Sequence, residues 1–126
     1  MPETDHQTDL ILRVVPMPSD VNAAGDIFGG YVLSQMDIAG GLVAGERARG
    51  RVATVAIDAM KFIRPVRVGD ILCIYGNVAR VGTTSVSVSL EAWALRHGTG
   101  ERRKVTEGLF VYVALDGDGK KRKVDS

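Results

Sequence analysis

The chain has 126 residues, 45% of them apolar, which is enough to bury roughly two thirds of the unfolded surface in one domain, 1–126, and excludes several. Sixteen basic side chains against fifteen acidic ones leave a net charge of +1. No global field therefore draws the chain to nucleic acid or to an anionic membrane, and an anionic ligand needs a local patch.

The lone cysteine, Cys73, excludes an internal disulfide and is expected in the core. The start, Met1-Pro-Glu-Thr-Asp-His, carries acid where a secretory signal is basic and then apolar, and no run of about 18 apolar residues spans a bilayer. A soluble cytoplasmic protein is expected, with neither nucleic acid nor membrane as partner. Fifteen glycines, about 12% against an average near 7%, imply positions that require them.

In chain order, the first strand is predicted at Asp9–Val15, ended by Pro16 and Pro18. A polar loop, Ser19–Asp26, leads through Phe28-Gly29-Gly30 into a helix from Tyr31 to about Arg49. This segment is rich in Ala, Leu, Met, Gln and Glu and apolar almost all round, so it is expected to be buried on most sides, with Gly50 as its stop. From there the period is two. Val52–Phe62, Ile71–Val81, Thr84–Arg96 and Lys104–Leu115 read as strands, separated by Pro65 with Gly69-Asp70, by Gly82, and by Gly98-Thr99-Gly100. Val86, Val88, Leu90, Ala92 and Ala94 share one face; Ser87, Ser89, Glu91 and Trp93 share the other. The short links favour an antiparallel meander. Asp116-Gly-Asp-Gly reads as a turn lacking the later carboxylates of a calcium loop, and 116–126, with Lys120-Lys-Arg-Lys, as a flexible basic tail.

A helix of about 19 residues is roughly 28 Å long, and a strand of nine or ten residues about 30 Å. Matching lengths predict an α+β hotdog fold, a long central helix wrapped by a five-stranded antiparallel sheet. Two exposed sheet edges in so small a protein invite pairing with a second copy, so at least a dimer is expected.

Two features of the helix carry chemistry. Gly29 and Gly30 leave unobstructed backbone N–H groups at its positive end, which suits a phosphate, a carboxylate or a developing oxyanion, although two glycines also serve simply to turn the chain. Asp37 sits mid-helix among apolar residues, where an unpartnered carboxylate is costly. It is either a catalytic base or a carboxylate exposed or satisfied by a hydroxyl such as Ser34 or Thr54. Gly30, Ser34, Gly40 and Gly41 give its helix face small side chains, open to another backbone or a narrow substrate. Residues 30 and 37 lie about 10.5 Å apart along the axis. A carbonyl held at Gly30 is then out of reach of Asp37 in the same chain, and joint action needs two subunits.

Asn22-Ala-Ala-Gly-Asp-Ile-Phe-Gly-Gly with Ser34-Gln-Met-Asp37, Arg51-Val-Ala-Thr-Val-Ala, Phe62-Ile-Arg-Pro-Val-Arg-Val-Gly-Asp, Gly82-Thr-Thr-Ser-Val and Glu107-Gly-Leu-Phe closely resemble the hotdog acyl-CoA thioesterases of the YciA type over nearly the whole chain. The resemblance implies hydrolysis of acyl-CoA thioesters by a trimer of dimers. It implies Asp37 and Asn22 as catalytic side chains from different subunits and the Gly30 N–H as oxyanion donor. Asp37 acts as general base or as nucleophile; Asn22 positions water or the carbonyl, against the alternative of an Asx turn or a cap. Asp26 reads as a cap or loop organiser. Lys61, Arg64 and Arg67 around Pro65, and Arg80 beside Gly82, Thr83, Thr84 and Ser85, are the candidates for the coenzyme A phosphates, with Gly29 and Thr54 completing the substrate-binding set. No metal and no cofactor is expected, coenzyme A being part of the substrate. The alternatives are a hotdog hydratase or dehydratase, which pairs a carboxylate with a histidine although His6 and His97 are placed away from the helix, and a noncatalytic acyl-CoA-binding protein.

Overall fold

A computed structural model describes residues 9–96 and 98–126. The elements are β1 (Asp9–Val14), a 3-10 turn (Pro18–Asp20), α1 (Gly29–Ala48), β2 (Val52–Phe62), β3 (Asp70–Val81), β4 (Ser85–Arg96) and β5 (Arg102–Ala114). The strands form one antiparallel sheet in the order β1-β3-β4-β5-β2, and α1 packs against all five. This is the hotdog arrangement.

The meander is only partial. β3, β4 and β5 follow one another, but β2 pairs with β5 and not with β3, and β1 takes the place beside β3. The segment after β2 must therefore cross from one sheet edge toward the other. It is held to the loop before the helix, where the Ile27 N–H donates to the Val66 carbonyl at 2.8 Å and Asp26 bridges to Arg67. Asp70, fully buried, fixes the end of this crossing. Its carboxylate accepts the Arg67 N–H at 3.0 Å and lies 2.8 Å from Arg96 Nε.

One face of the helix, Val32, Met36, Ala39, Ala44 and Ala48, packs on Leu72, Ile74, Val86, Val88, Leu90 and Phe110 of the sheet. The spacing of three to five residues keeps these positions on one stripe. Burial on most sides does not hold. Ile38 is 53% and Leu42 59% exposed, because a single sheet covers only the side it wraps. Val55, Ile57 and Phe62 are likewise exposed on the edge strand β2. The alternation predicted for β4 is present, with Trp93 buried on the outer face. Cys73 is buried there too, with Tyr75 and Trp93 rather than in the main core, and the Arg102 guanidinium covers this cluster 4.9 Å from the Trp93 ring centre.

The helix ends at Ala48, one residue earlier than predicted. Arg49 adopts the left-handed conformation, φ 56°, and Gly50 N–H returns to the Gly45 carbonyl at 3.1 Å. Gly50 is needed for a different reason, since a Cβ there would stand 2.9 Å from Arg122 Nη2. Arg122 donates to the carbonyls of Ala48 (2.6 Å), Lys123 (2.9 Å), Leu115 (3.1 Å) and Val124 (3.2 Å), and Val124 is buried. Residues 116–126, expected as a flexible tail, are largely exposed but anchored to the body of the protein at Arg122 and Val124. An apolar anchor and a guanidinium on helix-end carbonyls outweigh the solubility of the neighbouring lysines.

Candidate active site

Asp37 lies halfway along α1, half-buried, and its Oδ1 accepts two hydroxyl hydrogen bonds. Thr54 Oγ1 donates at 2.7 Å and the Tyr112 hydroxyl at 2.9 Å, the latter also 3.0 Å from the Asp37 main-chain oxygen. Thr54 and Tyr112 are directly paired across β2 and β5, so both side chains rise from the same sheet face toward the helix. Of the two hydroxyls considered from sequence, Thr54 is the partner. Ser34 donates instead to the Tyr31 carbonyl at 2.8 Å. Tyr112 is not legible as a site residue in the sequence; the single clue is Gly40. A Cβ on Gly40 would collide with the Tyr112 hydroxyl and stand 2.9 Å from Cζ, so the small-residue face at this turn is filled by the protein's own phenol. Burial, followed by hydrogen bonding to Asp37 and its charge, pushes the Tyr112 hydroxyl well above the ordinary phenol range.

Gly29 and Gly30 open α1 with Phe28 as N-cap, and the N–H groups of Tyr31 and Val32 bond to the Phe28 carbonyl. Gly30 has open space where a Cβ would be; a Cβ at Gly29 would meet the Phe62 ring at 3.3 Å. Gly29 lines a cleft of about 370 Å³ with Asn22, Asp26, Val32, Phe62, Arg64 and Thr106, among others. The Asn22 Oδ1 accepts the N–H groups of Ala24 (2.9 Å) and Asp26 (3.1 Å), the Asx turn that the sequence offered as the alternative to a catalytic role, and these bonds do not engage its amide N–H₂. Asp26 takes part in the loop through its main chain, its carbonyl accepting the Asn22 N–H at 2.7 Å and its N–H donating to Asn22 Oδ1. Asp37 does not line this cleft.

The basic candidates separate into two groups. Arg64 lines the cleft and donates to the Lys104 carbonyl at 2.7 Å. Lys61 stands opposite Glu107 on the β2 edge, and Arg67 borders a smaller cleft with Arg96. Arg80 and the Gly82–Ser85 turn lie at the far end of β3, about 30 Å away at 3.3 Å per residue. There Gly82 closes the β3–β4 hairpin on the Ser85 carbonyl, while the Thr83 and Thr84 carbonyls accept the N–H groups of Val124 and Ala114. One protomer therefore does not bring the two basic groups together. A wider cleft of about 690 Å³, at the carboxyl end of the helix beside Arg47, Arg49, Arg51 and Arg122, contains none of the predicted residues. Arg122 is committed there to carbonyls and Arg47 to Asp125 at 2.7 Å.

Among the described residues no three His, Cys, Asp or Glu side chains converge as metal ligands, and no helix is long and apolar enough to cross a membrane. His6 and His97 lie outside the described residues.

Known proteins agree with this architecture. A family model described as the thioesterase superfamily matches residues 24–101. The chain is 52% identical over 119 residues to the acyl-CoA thioester hydrolase YciA of Escherichia coli strain K12, covering 92% of this chain and 90% of that protein. Among solved structures, the hexameric thioesterase y2039 of Yersinia pestis superposes with a TM-score of 0.90 at 45% identity, covering 96% of this chain and 98% of that one. HI0827, described as a hexameric broad specificity acyl-coenzyme A thioesterase, gives a TM-score of 0.88 at 45% identity over 95% of this chain and 83% of its own. With the fold, the glycine-opened helix and the hydroxyl-held aspartate in place, the chain belongs to the thioesterase superfamily and, within it, to the YciA acyl-CoA thioester hydrolases.

Proposed function

We propose that the protein hydrolyses acyl-CoA thioesters to free coenzyme A and a carboxylic acid in a site built from two protomers. One observation carries the assembly: the carboxylate of Asp37 and the cleft holding Asn22, Gly29 and Arg64 are separate on one protomer, although both belong to the same helix region. The exposed Ile38 and Leu42, continuous in character with Val55, Ile57 and Phe62 on β2, offer the apolar surface on which a second helix meets the first antiparallel. The Asp37 of one protomer then faces the Gly30 N–H of the other. A trimer of such dimers agrees with the hexameric relatives.

In this site the thioester carbonyl oxygen sits at the Gly30 N–H, at the positive end of the helix, with the Asn22 amide as a second donor. Asp37 either accepts a proton from water as the water oxygen attacks the carbonyl carbon, or attacks that carbon itself to give an anhydride that water then opens. The tetrahedral oxyanion is held by the same N–H groups, and its collapse breaks the C–S bond and releases the thiolate of coenzyme A. Arg64 at the cleft, with Lys61 and Arg67 nearby, faces coenzyme A phosphates from one protomer; Arg80 and Gly82–Ser85 reach them only from another.

Thiol release from acyl-CoA, followed spectrophotometrically, tests the reading. Asp37→Asn is expected to lower kcat by about 10²- to 10⁴-fold, the range of a general base. Gly30→Pro removes the N–H in the first helical turn, where proline φ is tolerated, and is expected to be inactive alone. Mixed Asp37→Ala and Gly30→Pro chains are expected to recover activity through one intact site per dimer. No recovery from a folded mixed dimer overturns the shared site, and equal thiol release by Asp37→Asn and the parent removes Asp37 from the chemistry.

A further inference from the structure

We propose that Tyr112 is a positioning residue for Asp37, its buried hydroxyl holding one carboxylate oxygen so that the other is presented to the reaction. The proposal rests on the reading of Asp37 as base or nucleophile and deepens it. Rotation about the last side-chain bond of an aspartate is soft, and a carboxylate at a helix surface otherwise samples many orientations. Here Oδ1 takes both hydroxyl bonds, from Thr54 at 2.7 Å and Tyr112 at 2.9 Å, and Oδ2 has no partner among the described residues. No ion pair to Asp37 forms among the described residues, so within them the carboxylate is oriented by these two donors.

Three features make Tyr112 the firmer of the two. Its ring is fully buried in the core, whereas Thr54 stands exposed on the edge strand, so the phenol is fixed by packing before it meets the carboxylate. Its hydroxyl also lies 3.0 Å from the Asp37 main-chain oxygen, so its single proton is shared between two acceptors of the same residue, the nearer being the carboxylate. The helix carries a glycine where the phenol crosses it: at Gly40 any Cβ would displace the hydroxyl and crowd Leu90 Cδ1 at 3.0 Å. A mid-helix glycine costs about 1 kcal/mol relative to alanine, and admission of this hydroxyl is what it permits. A phenol ionises near pH 10 and is raised further here by burial, so the hydroxyl remains a proton donor well into the alkaline range and holds the carboxylate without titrating. Misorienting a reacting group by a fraction of an ångström slows the chemical step more than it weakens substrate binding.

The test compares the full-length parent with Tyr112→Phe, which keeps the ring and deletes the hydroxyl, and with Gly40→Ala, which keeps the hydroxyl and pushes it off Asp37. Thiol release from a short-chain and a long-chain acyl-CoA gives kcat and KM, with the oligomer and thermal midpoint checked for each variant. The expected result is a fall in kcat of at least tenfold with KM within twofold, in both variants and for both substrates. A folded variant with kcat within twofold of the parent overturns the positioning role, as does a raised KM at unchanged kcat, which makes Tyr112 a substrate contact. Asp37→Asn is run alongside: if it retains activity, the reading of Asp37 itself fails, whereas an inactive Asp37→Asn beside an unaffected Tyr112→Phe overturns the role of Tyr112 alone. If either tyrosine-directed variant does not fold, the other decides on the same criteria.

Discussion

A single aspartate on a helix surface takes its meaning here from what it touches. The two hydroxyls on Asp37 come from residues 54 and 112, distant in sequence and adjacent only because β2 pairs with β5 in one register. Tyr112 carries a consequence for pH that is independent of catalysis. Its hydroxyl is raised in the folded protein, first by burial and then by Asp37, while in the unfolded chain it ionises near pH 10. Below pH 10 both states hold the proton and stability is unaffected by this group. Above it the unfolded state releases a proton that the folded state retains, so stability falls as pH rises, by up to about 1.4 kcal/mol per pH unit from this group. Urea unfolding between pH 9 and 11 is expected to show that decline in the parent and a shallower one in Tyr112→Phe.

Elements are shaped by local departures from ideal geometry. β2 carries a bulge between Asp58 and Lys61, and within it Ala59 sits at φ 52°, a conformation that disfavours any side chain with a Cβ. Ala59→Gly is expected to raise stability by about 0.5 to 1 kcal/mol, read as a higher urea midpoint at unchanged slope, because the relieved strain exceeds the added freedom of the unfolded chain. The carboxyl-terminal segment behaves as part of the helix it caps. Arg122 satisfies the Ala48 carbonyl and three others, so Arg122→Ala leaves partly buried acceptors without a charged donor. A loss of about 2 to 3 kcal/mol is expected by denaturant titration. The expectation of a free tail came from the lysines, which are exposed; Val124 and Arg122, interspersed with them, decide the position of the segment.

At the scale of the whole molecule, a helix apolar on two sides meets a sheet that can cover one. Met36 and Ala39 face the core, while Ile38 and Leu42 face outward, so the protomer leaves an apolar stripe unsatisfied. The proposed dimer places that stripe against its own copy. Leu42→Glu introduces a charge into this contact and is expected to dissociate the assembly, measured by size-exclusion chromatography with light scattering, with thiol release lost in parallel because each proposed site is built from two chains. Retention of the parent mass by Leu42→Glu counts against this face as the interface.

The amino-acid sequence by itself determined the strand and helix segments to within a few residues, since each is written in its local period and ended by proline or glycine. It also determined the family, through the Asn22 to Asp37 stretch. Tertiary structure decided which strands are neighbours, because no local signal states that β2 crosses to β5; with that pairing it decided the identity of the groups holding Asp37. Gly40 shows the division. Its presence mid-helix is visible in the sequence and implies close approach by something, but whether that is a substrate, a second backbone or a phenol depends on a strand more than sixty residues away. Gly50 repeats it: local rules made it the helix stop, and the packed structure makes it the space for Arg122. Periodicity is a property of consecutive residues, whereas side-chain partners are fixed by sheet register and by burial of the chain as a whole.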